Sequence, residues 1–410
     1  GEDDCRLFHH DISAMDSPKI IGFLKDGEWI VMMSDSVQQE NGREERYNNV
    51  TAYEISTMKN KGGMRHRATS RSAFQPVVSS ASGYDILISS SSNFISVCDF
   101  SQDKMKFENI QLFNQWGRWG TYALHISKDE KTFWAIGGDM RLILYDLENR
   151  CNRYVINMLI EDAMFKASED NRFLLMSIGE GPRKSFNEGR VYDTVLDISA
   201  FGSSEDYFPS LLTTMSADAS ARQIFTSHGS DPQTNAEGAV MFHVDPDKKE
   251  MIRIEYDDMG TMERFFAMST AVSFDGTRSV YARGALVERV GTDVLNYYEI
   301  PQRKEPVEIR YPNRDVWSFI SRIEYTPGNS AFLALSGRAD IGESSQNGYL
   351  FVTGGEERGV LKHVIDLPKD KKFISFTNSH ISGNGAYALV WSGNRVVTDY
   401  VGLLIDLRKN

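Results

Sequence analysis

Cysteine, proline and long apolar runs are all scarce in this chain, and each shortage excludes something. The three cysteines, Cys5, Cys98 and Cys151, are odd in number and show no Cys-x-x-Cys spacing, which argues against a disulfide framework and a thiolate zinc site. Eleven prolines in 410 residues, with no stretch dominated by Pro, Gly or Ser, give no sign of a flexible linker or a seam between domains. Apolar runs such as 386–391 fall far short of the roughly 18 residues that suggest a membrane span, so no transmembrane segment is expected. The sequence has no His-Glu-x-x-His, phosphate-binding loop, Gly-x-Ser-x-Gly or spaced Cys/His set. No catalytic residue, metal or cofactor can therefore be named from motifs. The chain opens on Gly1 with neither Met nor a signal-peptide hydrophobic region, which fits a processed mature chain, a piece of a larger protein or a cloning remnant. A cytoplasmic setting is the first expectation and a processed secreted chain the second.

The charge that is present is mostly acidic. With 57 Asp and Glu against 45 Lys and Arg, the net charge is −12, which favours solubility and disfavours nonspecific attraction to nucleic acid or anionic membranes. Hydrophobic residues at 41% are enough for a sizeable core, and an all-β chain of this length can form one domain.

The main signal is self-similarity. A hydrophobic strand, a small or acidic turn and a second hydrophobic strand recur at 23–31, 79–88, 125–136, 166–176, 216–226, 271–282, 323–335 and 380–391. Taking one turn residue per unit as marker gives Gly27, Gly83, Glu130, Asn171, Ala219, Gly276, Asn329 and Gly385. Seven intervals span 385 − 27 = 358 residues, a mean of about 51, and a fixed period of that size marks a repeat architecture. A third strand then ends on an acid between apolar residues, as in Tyr53-Glu54-Ile55, Cys98-Asp99-Phe100, Tyr145-Asp146-Leu147, Leu196-Asp197-Ile198, Tyr298-Glu299-Ile300 and Ile405-Asp406-Leu407. A fourth apolar run follows, for instance at 154–156, 251–254 and 364–365. Four short strands per unit with tight polar turns are the sequence form of a propeller blade.

These units resemble those of WD40 and TolB-type β-propellers, in the hydrophobic-Ser-x-Asp-Gly turn and the acid-bearing third strand. The period and the stretch Ala135-Ile136-Gly137-Gly138 are similar to kelch units. The resemblance covers nearly the whole chain and implies an architecture; it assigns no functional residues.

The expected fold is therefore all-β, a single β-propeller over residues 1–410, most simply with eight four-stranded blades, seven being the alternative count. Only 25 residues follow Gly385, too few for a full last blade. A closing strand within residues 1–13 is expected to supply its fourth strand and remove an open edge.

Loop length points to a working face. Connections between second and third strands are long at 34–49, 179–190, 227–238, 283–294, 336–348 and 392–402, all on one expected face. The links between units share that face: 64–73 with Arg65, Arg67 and Arg71; 114–120 with Trp116, Arg118 and Trp119; and 312–318 with Arg314 and Trp317. Arginine and tryptophan supply forked hydrogen bonds and flat contact area, so a protein or peptide partner is expected there. The competing reading packs each tryptophan between neighbouring blades. Acids dilute the arginines, so no nucleic-acid track is expected. His125, Arg322 and His380 fall at similar positions in three innermost strands, where they suit a small anionic or glycan ligand in a central funnel. The competing reading has them satisfying buried backbone or acids of the next blade. Three functions follow: a non-enzymatic binding scaffold, a hydrolase or lyase working in the funnel, or a propeller belonging to a larger signalling or trafficking protein.

Overall fold

The computed structural model describes residues 5–9, 19–67, 77–78, 85–90, 94–102, 104–112, 121–137, 141–157, 163–179, 186–193, 198–201, 212–228, 238–245, 248, 250–254, 265–285, 291–299, 307–310, 318–329, 331–338, 347–352, 360–366, 376–392 and 401–409. Among them the fold is all-β: strands in eight four-stranded antiparallel sheets, with two three-residue 3-10 turns. The sheets are numbered here by their first strands, Lys19–Leu24, Val77–Val78, Thr121–Ile126, Ala163–Ala167, Leu212–Ala217, Phe265–Val272, Ser318–Tyr325 and Phe376–Ile381. In sheets 1 to 7 the four strands follow in chain order. Sheet 8 takes three strands from the end of the chain and one from its beginning: Cys5–His9 runs antiparallel to Val401–Asp406, from Cys5 opposite Ile405 to His9 opposite Val401. First strands of neighbouring sheets touch from sheet 1 to sheet 3 and from sheet 4 to sheet 8, and those of sheets 8 and 1 also touch.

The burial pattern shows why the strands read as continuous apolar runs. In strand Trp29–Glu40, Val31 and Met33 pack with Leu24, Leu87 and Cys98 toward sheet 2. Ile30 and Met32 pack with Phe23, Leu389 and Leu404 toward sheet 8. Side chains alternate across a strand, so a sheet covered on both faces needs apolar residues at every position. Ile30 and Val31 are both fully buried, and each such side chain contributes about 1.5–3 kcal/mol.

The repeated turn is held by its own side chains. Ser127, Ser168 and Ser273 each accept the N–H five residues on, from Thr132, Phe173 and Arg278, at 2.9–3.0 Å. Each hydroxyl donates to the acid two residues on, Asp129, Asp170 or Asp275, at 2.6 Å. Thr326 and Ser382 accept in the same way. The fourth turn position takes a positive φ at Gly27, Glu130, Asn171, Gly276, Asn329 and Gly385. In sheet 5 that place belongs to Ala221, not to Ala219 two residues earlier; Asp218 replaces the usual serine and its carboxylate accepts the N–H of Gln223. Gly83 lies outside the described residues.

The turns also join the sheets. Lys128 N–H donates to Glu169 O at 2.6 Å, Glu169 N–H to Ala219 O at 2.8 Å, and Ala219 N–H to Phe274 O at 3.1 Å. Phe274 N–H continues the series to Asn329 Oδ1 at 2.7 Å. Third strands end on the expected acids at Glu54, Asp99, Asp146, Glu299 and Asp406. In sheet 4 the strand ends at Asp193, before the expected Asp197. The acids that cap the following turn act locally: Asp99 accepts the N–H of Ser101 and Asp146 that of Asn149.

Candidate functional site

The connection at 34–49 is a long β-hairpin. Strands Trp29–Glu40 and Arg43–Glu54 stay paired out to Glu40 opposite Arg43. The turn between them is Asn41-Gly42, with φ of 52° and 75°, the two left-handed residues that a type I′ turn requires. The first strand of the sheet reaches only to Lys19 opposite Met33, and the fourth, Asn60–Arg67, reaches to Arg67 opposite Tyr47. Among the described residues, 37–46 therefore extend beyond the first and fourth strands as a two-stranded ribbon of about 14 Å, from the rise per residue, at the end of the sheet opposite the short turn 25–28.

One face of this arm is already ordered by polar contacts. Alternation places Ser36, Tyr47, Asn49 and Arg65 on the same side. The Arg65 guanidinium lies 3.7 Å from the Tyr47 ring centroid, Tyr47 Oη donates to Glu40 Oε1 at 2.5 Å, and Asn49 Nδ2 donates to Ser36 Oγ at 2.9 Å. Arg65 and Arg67, expected in a loop between units, are thus in a strand at the root of the arm. Arg71, Trp116, Arg118, Trp119, Arg314 and Trp317 lie outside the described residues.

The three expected funnel residues do not share a register. His125 pairs with Trp134 and His380 with Leu389, each two residues before the turn serine. The residue two before Thr326 is Glu324, opposite Leu333; Arg322 sits two positions further back, opposite Leu335. The offset is one of sequence spacing, since the bulge at Ser321 has a counterpart at Thr377 in the strand of His380. His380 stacks on Phe23 of sheet 1 with centroids 6.0 Å apart, and its Nδ1 is 3.8 Å from Glu324 Oε1 of sheet 7. Glu324 also accepts from Ser379 Oγ and Ile381 N at 2.8 and 3.0 Å. His125 instead turns to sheet 4, with Nδ1 2.8 Å from Asn171 Oδ1. Burial holds its imidazole below the usual histidine range, opposed by the Asn171 bond. It lines a cavity of about 450 Å³ at the short-turn end of sheets 3 to 6. No metal-binding group of three or more His, Cys, Asp or Glu occurs among the described residues, and no helix there is long and apolar enough to cross a membrane.

Asn171, Trp134 and Tyr47 went unnoticed as site residues in the sequence. The hairpin was readable, because Asn-Gly between two strand-forming runs is a strong short-range signal. The partners of His125 were not readable, since Asn171 comes from the next repeat unit.

No protein-family model and no curated protein match this sequence. Among solved structures, Sqt1 from Chaetomium thermophilum, a WD40 protein, is similar over 96% of this chain and 97% of that one, with a TM-score of 0.60 and 9% identity. The fold is that of a propeller-like repeat protein. At this identity the likeness concerns fold alone, and 1182 solved chains match, so it selects no activity.

Proposed function

We propose that the chain is one eight-bladed β-propeller over residues 1–410, closed by its N-terminal strand, and that it is a non-enzymatic scaffold for a protein or peptide. In this reading the eight sheets are the blades, and the Cys5–His9 pairing with Val401–Asp406 removes the last open edge. The partner sits on the face of the long connections, and links 64–73, 114–120 and 312–318 belong to that face.

The observation that carries the proposal is the arm. The ribbon keeps its register out to Glu40 opposite Arg43, and at its root the Arg65 guanidinium lies over the Tyr47 ring. Tyrosine and arginine dominate binding hot spots because they offer large, stiff contact area with a polar edge. The scaffold reading is also favoured over funnel catalysis by the histidines. Each is tied to a neighbouring sheet, His125 by Asn171 and His380 by Phe23 and Glu324.

Shortening the arm tests this. Removing residues 37–40 and 43–46 joins Ser36 and Tyr47, which are already paired, through the same Asn41-Gly42 turn. Partners recovered by crosslinking and mass spectrometry should fall at least about tenfold with an unchanged melting curve. Tyr47→Ala with Arg65→Ala should weaken binding by about 2 kcal/mol. Lys104→Ala with Lys248→Ala, in third-to-fourth-strand connections, should have little effect. Equal losses from both pairs would reduce the effect to overall charge, and full retention by the shortened arm would overturn the proposal.

A further inference from the structure

The dipeptide Asn-Gly occurs three times, at Asn41-Gly42, Asn347-Gly348 and Asn384-Gly385. Asparagine before glycine is chemically labile, because the glycine has no side chain to shield its nitrogen as it attacks the asparagine amide carbon. By sequence the three sites are equal. The fold separates them by what holds each nitrogen and each amide.

Asn384-Gly385 lies in the repeated turn of sheet 8, and both of its reacting groups are engaged. Gly385 N–H donates to Ser382 O at 2.8 Å, which ties down the attacking nitrogen. Asn384 Oδ1 accepts from Ser382 Oγ at 2.8 Å and from Ala386 N–H at 2.9 Å, which fixes the side chain. Asn347-Gly348 begins the third strand of sheet 7, Asn347–Val352. Gly348 pairs with Leu335 of the second strand and with Ile365 of the fourth, so reaction there requires opening a strand held on both sides.

Asn41-Gly42 is held by neither device. Both residues are exposed at the tip of the arm, and a Cβ placed on Gly42 would have nothing within 4 Å. Among the described residues the Asn41 amide has no hydrogen-bond partner. The type I′ geometry, with φ of 52° and 75°, must loosen before the side chain can meet the Gly42 nitrogen. At the tip this loosening disturbs only the outermost pair, Glu40 with Arg43, and local opening costs least at such ends.

We propose that Asn41 is a self-modification site, converting to aspartate and isoaspartate through a succinimide, while the fold protects Asn347 and Asn384. The Gly42 nitrogen, having given its proton to hydroxide, forms a bond to Asn41 Cγ. The Cγ–Nδ2 bond breaks and ammonia leaves, its third hydrogen supplied by water. A second water opens the ring, at Cγ to give aspartate or at the main-chain carbonyl to give isoaspartate. Isoaspartate carries the main chain through Cβ and Cγ, adding a methylene to a two-residue turn whose register depends on its length. Either product sets a new carboxylate beside Glu40 and Glu44, so the tip of the arm becomes more acidic as the protein ages. The reaction needs no partner on the arm and is independent of its docking role.

The test uses the full chain, incubated at neutral and mildly alkaline pH, digested in mild acid and mapped by mass spectrometry with electron-transfer fragmentation, which tells isoaspartate from aspartate. In the folded protein, conversion at Asn41 should exceed that at Asn347 and at Asn384 by at least about tenfold, as for a frayed end against paired strands, and should rise with pH. In urea the three dipeptides should convert at similar rates, because only the fold distinguishes them. Gly42→Ala puts a methyl group beside the attacking nitrogen and should all but abolish isoaspartate at position 41 in both conditions, with the other two sites unchanged. Conversion at Asn41 no faster than at either other site in the folded protein overturns the proposal. Aspartate at 41 without isoaspartate, or undiminished conversion in Gly42→Ala, overturns the succinimide route and the proposal with it.

Discussion

A Cβ placed on Gly27 would lie 2.7 Å from Cβ of Ser382, so the first repeated turn of the chain is pressed against the last. Gly27 also has a φ of +85°. Gly27→Ala should combine left-handed backbone strain with overpacking and cost about 2–4 kcal/mol by urea denaturation. Gly42 has φ +75° with nothing within 4 Å of a Cβ, so Gly42→Ala should cost only the backbone part, about 1 kcal/mol. Equal costs would mean that the contact with Ser382 is absent in solution.

Deleting residues 1–13 removes the strand that pairs Cys5 to His9 with Val401 to Ile405. The exposed ladder is a template for intermolecular pairing. The truncated chain should melt earlier and aggregate at concentrations where the full chain stays dispersed in light scattering. An unchanged melting profile would count against closure by this strand.

Glu130 should make stability fall as pH rises. Its Oε1 accepts the backbone N–H groups of Asp85 and Ile86 in sheet 2. Burial is the main cause that pushes its pKa from 4.5 up to about 7, with Asp85 and Asp99 adding to the rise. Between those values the folded chain keeps a proton that the unfolded chain has released, so stability declines across that window. The size is about 2 kcal/mol after allowance for solvent screening. Glu130→Gln keeps the acceptor and loses the titration, so the Tm of the variant should be flatter between about pH 4.5 and 7. Identical pH profiles would show that Glu130 does not titrate there.

The two described thiols should react differently. Burial pushes Cys98 up to about 12, whereas Cys151 is exposed. Because the thiolate is the reactive form, brief iodoacetamide treatment followed by peptide mapping should modify Cys151 in the native protein and Cys98 only after denaturation. Native labelling of Cys98 would show that sheets 1 and 2 open readily.

The sequence by itself determined the strands, their grouping by four and the chemistry of the repeated turn, because these follow from local patterns. Apolar runs with period-two packing, a serine that answers the N–H five residues on, and residues tolerant of positive φ all act within about twelve neighbours. It also placed the acids that end third strands at Asp99, Asp146 and Asp406, since the turn each one caps is adjacent in the chain. Only the tertiary structure decided what crosses between units. Glu324, the counterpart of the histidines in sheet 7, bonds Ser379 and Ile381 of sheet 8. His125 gained its hydrogen bond from Asn171, 46 residues away, and its cavity from sheets 3 to 6. Such contacts depend on how one sheet is rotated against the next, which is set by packing over both buried faces and leaves no mark in any single repeat.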